Sequence, residues 1–283
     1  MSCPDCFTGG IHEGKPTGTV TKLHGLDVYI AEPATGNAPK GIIVLIPDIF
    51  GWDFVNIRLM ADGFAKKKDY RVYAPDFMDG HAAPTSAIAS MKKVMNPAGS
   101  WLGTLAKPLH AISLASVAVP ALINVRFGKT YPIVKKFMED LRRNESAHLP
   151  VAVTGYCWGG KHVALLSADA ETAKVDGKPL ADVGFTAHPS ALSLFDDIEK
   201  LKLPVSFALG ELDGMIKPDQ AKQLEKIVLA KPDGQKGEVR IYNGYGHGFA
   251  CRVDVKNDDP KAAVEAEDQA LAWFEKHFEN ITY

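Results

Sequence analysis

Val151-Ala152-Val153-Thr154-Gly155-Tyr156-Cys157-Trp158-Gly159-Gly160 is an apolar run that ends in a glycine-flanked cysteine and passes into a stretch of helical character. A continuous apolar run of this length reads as a strand buried on both faces of a sheet. The turn after it must hold its central residue in a strained conformation, and glycines two before and two after Cys157 remove the side chains that would clash there. This is the pattern of a nucleophile elbow, with cysteine where serine usually sits. The turn sets Cys157 at a helix N-terminus, where unpaired N–H groups and the helix dipole favour an anion, so a lowered thiol pKa is expected. The Trp158 N–H should then face a carbonyl oxygen as it gains negative charge. The bland alternative is a small buried cysteine in a tight turn.

Outward from this segment, short apolar runs alternate with longer segments of helical period. Strands are expected at Leu26 to Ala31, Gly41 to Ile46, Arg71 to Ala74, Val151 to Thr154, Val183 to Ala187, Val205 to Leu209 and Val239 to Tyr242. Helical period is clearest where Ile133, Val134, Phe137, Met138 and Leu141 line up, and again at Leu224, Ile227 and Val228. A last helix carrying Val264, Leu271, Phe274 and Phe278 should start after Asp258, Asp259 and Pro260. The expected class is α/β, a largely parallel central sheet with helices on both faces, in one domain over residues 1–283. Between Ala82 and Thr130 the alternation fades into a segment containing Pro97, Gly99, Trp101, Gly103, Pro108, Pro120 and Gly128, read as an insertion over the active site.

Two further groups take their places from chain order. In elbow-bearing sheets the nucleophile, acid and base follow one another, each just beyond a strand's C-terminal end. After Val205 to Leu209 comes Gly210-Glu211-Leu212-Asp213, where Asp213 is the expected acid and Glu211 its rival. After Val239 to Tyr242 comes Asn243-Gly244-Tyr245-Gly246-His247-Gly248-Phe249, a glycine-rich loop able to bring His247 back over Cys157. A second oxyanion donor belongs to the loop after Gly41 to Ile46, where the Ile49 N–H is the candidate. Asp48 has two open readings: it holds or receives the thiol proton, or it caps a helix beginning near Asp53.

These segments resemble the dienelactone hydrolase, or carboxymethylenebutenolidase, family of the α/β-hydrolase superfamily. The likeness rests on IFGW at Ile49 to Trp52, GYCWGG at the elbow and HGF at His247 to Phe249, and it runs from about Gly18 onward. It implies an α/β-hydrolase fold and a cysteine hydrolase that opens lactone or ester bonds without cofactor or metal, with the triad on Cys157, Asp213 and His247. Two departures stand out. Asp48 replaces a glutamate, one methylene longer, which the family places before the IFG motif to control the thiol. The family also sets two arginines around a substrate carboxylate. Here Gly80 and His81 lie near the first position, and Cys251 holds the second, with Arg252 one residue later. The residues expected to line the substrate are Asp48, Trp52, His81, Phe249 and Arg252. Together with Trp101 and Trp158, Trp52 and Phe249 point to a larger or more aromatic ester or lactone.

Composition narrows the alternatives. At 283 residues, 46% hydrophobic and 23% charged, the chain can bury a large core. Its 32 basic and 34 acidic side chains leave a formal charge of −2, which gives no field to draw nucleic acid or an anionic membrane. A small-molecule substrate and a monomer or homodimer are expected. No run nears the roughly 20 apolar residues of a spanning helix, Met1 to Gly14 lacks a signal-peptide layout, and four cysteines are too few for a disulfide framework. The expected location is the cytoplasm. Cys3 and Cys6 form a CxxC with no second pair at zinc spacing, and Cys251 reads as a packed thiol. His188, after a strand end, is a possible substrate contact. A different class of function stays open, an idle scaffold that binds a small lactone or senses oxidants through Cys157.

Overall fold

A computed structural model describes residues 9–95, 112, 115–253 and 259–283. The expected contents at Cys3, Cys6, Pro97, Gly99, Trp101, Gly103, Pro108 and Asp258 lie outside the described residues.

All seven expected strands form. They are β2 (Leu26–Ala31), β3 (Gly41–Ile46), β4 (Tyr70–Pro75), β5 (Val151–Tyr156), β8 (Val183–Ala187), β9 (Val205–Gly210) and β10 (Glu238–Tyr242), joined at one edge by β1 (Thr19–Leu23). The order across the sheet is β1-β2-β4-β3-β5-β8-β9-β10. From β4 to β10 every pairing is parallel, whereas β2 runs antiparallel to both β1 and β4. Every residue of β3, β5, β8 and β9 is buried, as a sheet covered on both faces requires. A separate ribbon pairs β6 (Lys174–Val175) with β7 (Lys178–Pro179).

The flanking helices are α1 (Val55–Lys67), α2 (Ser86–Met95), α3 (Phe127–Arg143), α4 (Trp158–Ala168), α5 (Asp196–Glu199), α6 (Pro218–Leu229) and α7 (Lys261–Phe278). In α3 the apolar stripe buries Val134, Phe137, Met138 and Leu141. Helix α7 docks through Phe274, whose ring meets Phe64 of α1 and Phe185 of β8. Val264, expected on that buried stripe, is instead 49% exposed, because the face is completed by the small side chains of Ala262, Ala266 and Ala270. Among the described residues, no helix is long and apolar enough to cross a membrane.

The expected insertion begins as helix α2, and residues 115–124 are also helical where described. Its far boundary moves, since α3 starts at Phe127 and not after Thr130. Both described ends of the segment are tied to the residues expected to supply the oxyanion donors. Ala83 N–H donates to the Ile49 carbonyl at 2.8 Å, and the Trp158 indole N–H donates to the Val125 carbonyl at 2.9 Å.

Candidate active site

Strand β5 delivers Cys157 to the start of α4 with φ 51° and ψ −111°, a left-handed conformation that a side-chain-bearing residue adopts only under constraint. The constraint is visible around it. A Cβ on Gly155 would stand 2.4 Å from the Gly159 carbonyl oxygen, and one on Gly159 would stand 2.2 Å from that of Ile46. The two glycines let β3, β5 and α4 close to this distance. Trp158 is the first residue of α4, so its N–H is among those for which the helix itself has no acceptor. Ile49 lies buried in the loop after β3.

Strands β9 and β10 supply the other two groups, and their loops are laced together. Glu211 N–H donates to the Tyr242 carbonyl at 3.0 Å, and Leu212 N–H to that of Tyr245 at 2.9 Å. Asp213 accepts the Met215 N–H on Oδ1 at 2.9 Å and pairs through Oδ2 with His247 Nδ1, also at 2.9 Å. Glu211 faces elsewhere, accepting the Gly244 N–H at 2.8 Å at the surface. The carboxylate on His247 is therefore that of Asp213. Cys157 is hydrogen-bonded to the same imidazole, and with Nδ1 taken by Asp213 that bond falls to Nε2. Burial alone would lower the pKa of His247. The adjoining Cys157 sulfur and the Asp213 carboxylate reverse this and push it up to about 10. The arrangement holds a proton between sulfur and imidazole, with the aspartate fixing the ring's orientation.

Beside the triad lies a second buried polar group. Asp48 is fully buried, accepts the Phe50 N–H on Oδ1 at 3.0 Å, and is ion-paired through Oδ2 with Arg252. It does not cap α1, whose N-cap is Phe54, so the capping alternative falls away. Burial pushes the Asp48 carboxyl up and the Arg252 guanidinium pulls it down, with an upward net direction. The permanent positive charge of the guanidinium in direct contact favours the ionised carboxylate against that burial. Cys251 donates its thiol to Asp48 Oδ2 at 3.5 Å and lies 3.6 Å from His188 Nε2. Burial, with Asp48 next to it, pushes the Cys251 thiol well up and keeps it protonated.

The expected substrate-lining residues separate. Trp52 lines a cleft of about 490 Å³ together with Phe50, Asp53, Asp76, Gly80, Ala82 and Thr85, and carries the Arg58 guanidinium 4.7 Å from its ring centre. His81 is exposed and is not a wall of that cleft, although Gly80 and Ala82 on either side are. Phe249 is buried, with its ring edge-on to His188 and against Tyr242 and Tyr245, which makes it packing behind the site. Arg252 points inward to Asp48 and is 1% exposed. None of the triad lines the cleft, and Cys157 itself is fully buried. His188, read from the sequence as a substrate contact, is buried and packs on the catalytic candidate instead, its ring centre 5.0 Å from that of His247. Ser190, unremarked in the sequence, lies against Cys157.

Comparison with known proteins agrees with this architecture. Hydrolase pyvD of Aspergillus violaceofuscus is 28% identical over 96% of this chain and 95% of its own length. A carboxymethylenebutenolidase homolog of Xenopus tropicalis is 26% identical over 97% and 96%. The crystal structure of dienelactone hydrolase from Anabaena variabilis superposes with a TM-score of 0.58 at 14% identity, covering 94% of this chain and 99% of that one, which shows the shared fold. The profile of the Dienelactone hydrolase family matches residues 26–278, and the chain belongs to that family of carboxylic ester hydrolases.

Proposed function

We propose that the protein is a cysteine-dependent hydrolase that cleaves a lactone or carboxylic ester through a thioester acyl-enzyme. The observation that carries this reading is the single hydrogen-bonded line from Asp213 through His247 to Cys157, ending at a strained elbow on a helix N-terminus. His247 takes the thiol proton and the sulfur attacks the carbonyl carbon, while the Ile49 and Trp158 amides receive the developing oxyanion. Collapse breaks the C–O bond, and the imidazolium returns its proton to the departing alkoxide. For a lactone that alcohol stays attached to the acyl group. His247 then deprotonates a water that attacks the thioester, releasing the acid and restoring the thiol. Ala83 and Val125, bonded to Ile49 and to the Trp158 indole, hold the described ends of the inserted segment against the two oxyanion donors. Trp52, in the cleft walled by Phe50 next to the Ile49 donor, favours a large or aromatic acyl or alcohol portion. In this reading the protein works as a monomer or homodimer on a small molecule in the cytoplasm, in keeping with its near-neutral charge and four cysteines.

The test is a burst-phase assay with p-nitrophenyl acetate and a panel of lactones, comparing the native chain with Cys157→Ala. A stoichiometric burst that vanishes in the variant supports the acyl-enzyme. Undiminished turnover by Cys157→Ala would sink it. Tight lactone binding without turnover by the native chain would instead favour a binding or sensing scaffold.

A further inference from the structure

The corner that follows β8 is fastened to the elbow at several points. His188 turns with φ 39° while its N–H donates to the Ala208 carbonyl at 2.8 Å, and Ala191 turns back with φ 58°. Pro189 fills the space that the missing side chain of Gly160 leaves, since a Cβ there would stand 2.5 Å from the Pro189 Cβ. Ser190 N–H then donates to the Cys157 carbonyl at 2.9 Å, so the serine backbone is bonded to the nucleophile's own residue. These ties set the Ser190 hydroxyl 3.6 Å from Cys157 Sγ, within range for a hydrogen bond with sulfur, and both residues are buried.

We propose that Ser190 is a further catalytic residue, whose hydroxyl accepts from the Cys157 thiol while His247 is protonated and cannot, and turns to donate to the sulfur once the proton has left. This rests on Cys157 being the nucleophile. A hydroxyl is both donor and acceptor, so one side chain serves both forms of the sulfur without moving its backbone. The bond to the anion is charge-assisted and the stronger of the two, and the difference favours the thiolate. The groups that act on this sulfur from other elements are His247 with Asp213 behind it, Asp48 in the loop after β3, and Cys251 and Arg252 beyond His247. Of these, His247 and Arg252 supply positive charge near the thiolate and Asp48 opposes it. Ser190 adds a neutral donor that requires no further charge in the buried site.

The experiment is a pH titration of thiolate absorbance at 240 nm, each chain being referenced to the same chain with Cys157→Ala. Ser190→Ala and Ser190→Gly both remove the hydroxyl while keeping the backbone bond to Cys157, and Ser190→Thr keeps the hydroxyl. The expected result is a midpoint raised by about half to one unit in the Ala and Gly variants and within about 0.2 of the native value in the Thr variant. The acid limb of kcat/KM for p-nitrophenyl acetate should move by the same amount. Superimposable titrations of native, Ala and Gly chains, or a lowered midpoint, would overturn the assignment. Turnover surviving Cys157→Ala would overturn the nucleophile instead, and the titration would still report on the serine.

Discussion

Two buried carboxylates stand just beyond the ends of β3 and β9, and each is held in the same way up to its last contact. Asp48 takes the N–H two residues on, from Phe50, with Oδ1, and Asp213 takes that of Met215 in the same manner. Each gives Oδ2 to a basic side chain from the segment between residues 247 and 252, Arg252 for Asp48 and His247 for Asp213. The difference lies in the base. A guanidinium keeps its proton throughout, so Asp48–Arg252 is a fixed ion pair, whereas an imidazole can both take up and give back a proton. In the proposed mechanism one backbone device therefore yields a structural brace at Asp48 and a proton relay at Asp213, although the carboxylates are far apart in sequence and only their basic partners are near one another.

Breaking the relay should cost activity first. His247→Ala is expected to lower kcat by about 10⁴ or more, and Asp213→Asn by about 10²–10⁴ with the fold kept, as for triads whose imidazole loses its orienting carboxylate. Steady-state kinetics beside a thermal melt separates the two effects. Breaking the brace should cost stability instead. Asp48→Ala leaves Arg252 buried without its counter-charge, for a loss of about 3–5 kcal/mol in chemical denaturation. The double change Asp48→Leu with Arg252→Met should recover most of that loss, because replacing both partners removes the desolvation cost as well as the attraction. A double variant no more stable than Asp48→Ala would show that the pair does more than balance charge.

The relay can be sharpened by following the His247 ring by NMR. Cys157 is the strongest of the influences that raise His247 to about 10, ahead of Asp213. Cys157→Ala should therefore lower the His247 midpoint, and Asp213→Asn should lower it by less. In the native chain the imidazolium persists to about 10, so the alkaline limb of the rate profile belongs there and not near the ordinary histidine value. An unchanged midpoint in Cys157→Ala would mean that the sulfur and the ring do not share a proton.

How much of this was legible depended on whether a feature is local. The strands buried on both faces declare themselves as apolar runs, and the triad follows from chain order because each member comes just after one of them. The edge strand Thr19–Leu23 carries mostly exposed, partly polar residues and no such run. Its signal lay in the turn, where His24 and Gly25 both have positive φ and join β1 to β2 in two residues. Asp176 and Gly177 do the same for the β6–β7 ribbon. Asp48 and Arg252 are 204 positions apart, and nothing in either neighbourhood announces the other. Ser190 was hidden for a different reason. Serine is common, and its nearness to Cys157 depends on backbone turns at His188 and Ala191 that composition does not reveal.

The smallest effect expected is at Cys251, the point where the two carboxylate systems come closest to sharing a group. Its thiol donates to Asp48, sits beside His188 Nε2, and His188 packs on His247. If brace and relay are separate, Cys251→Ala removes only a weak sulfur donor and a little buried volume, since Asp48 retains Arg252 and the Phe50 N–H. The cost should be about 1–2 kcal/mol in denaturation, with kcat changed by less than about threefold. Burial pushes the neutral state of His188 well into the acid range, so that ring does not carry a proton from one system to the other near neutral pH. A hundredfold fall in kcat with an unshifted melt would contradict this, because it would mean that proton transfer at His247 depends on the Asp48 cluster through Cys251 and His188, and the two carboxylates would then form one machine.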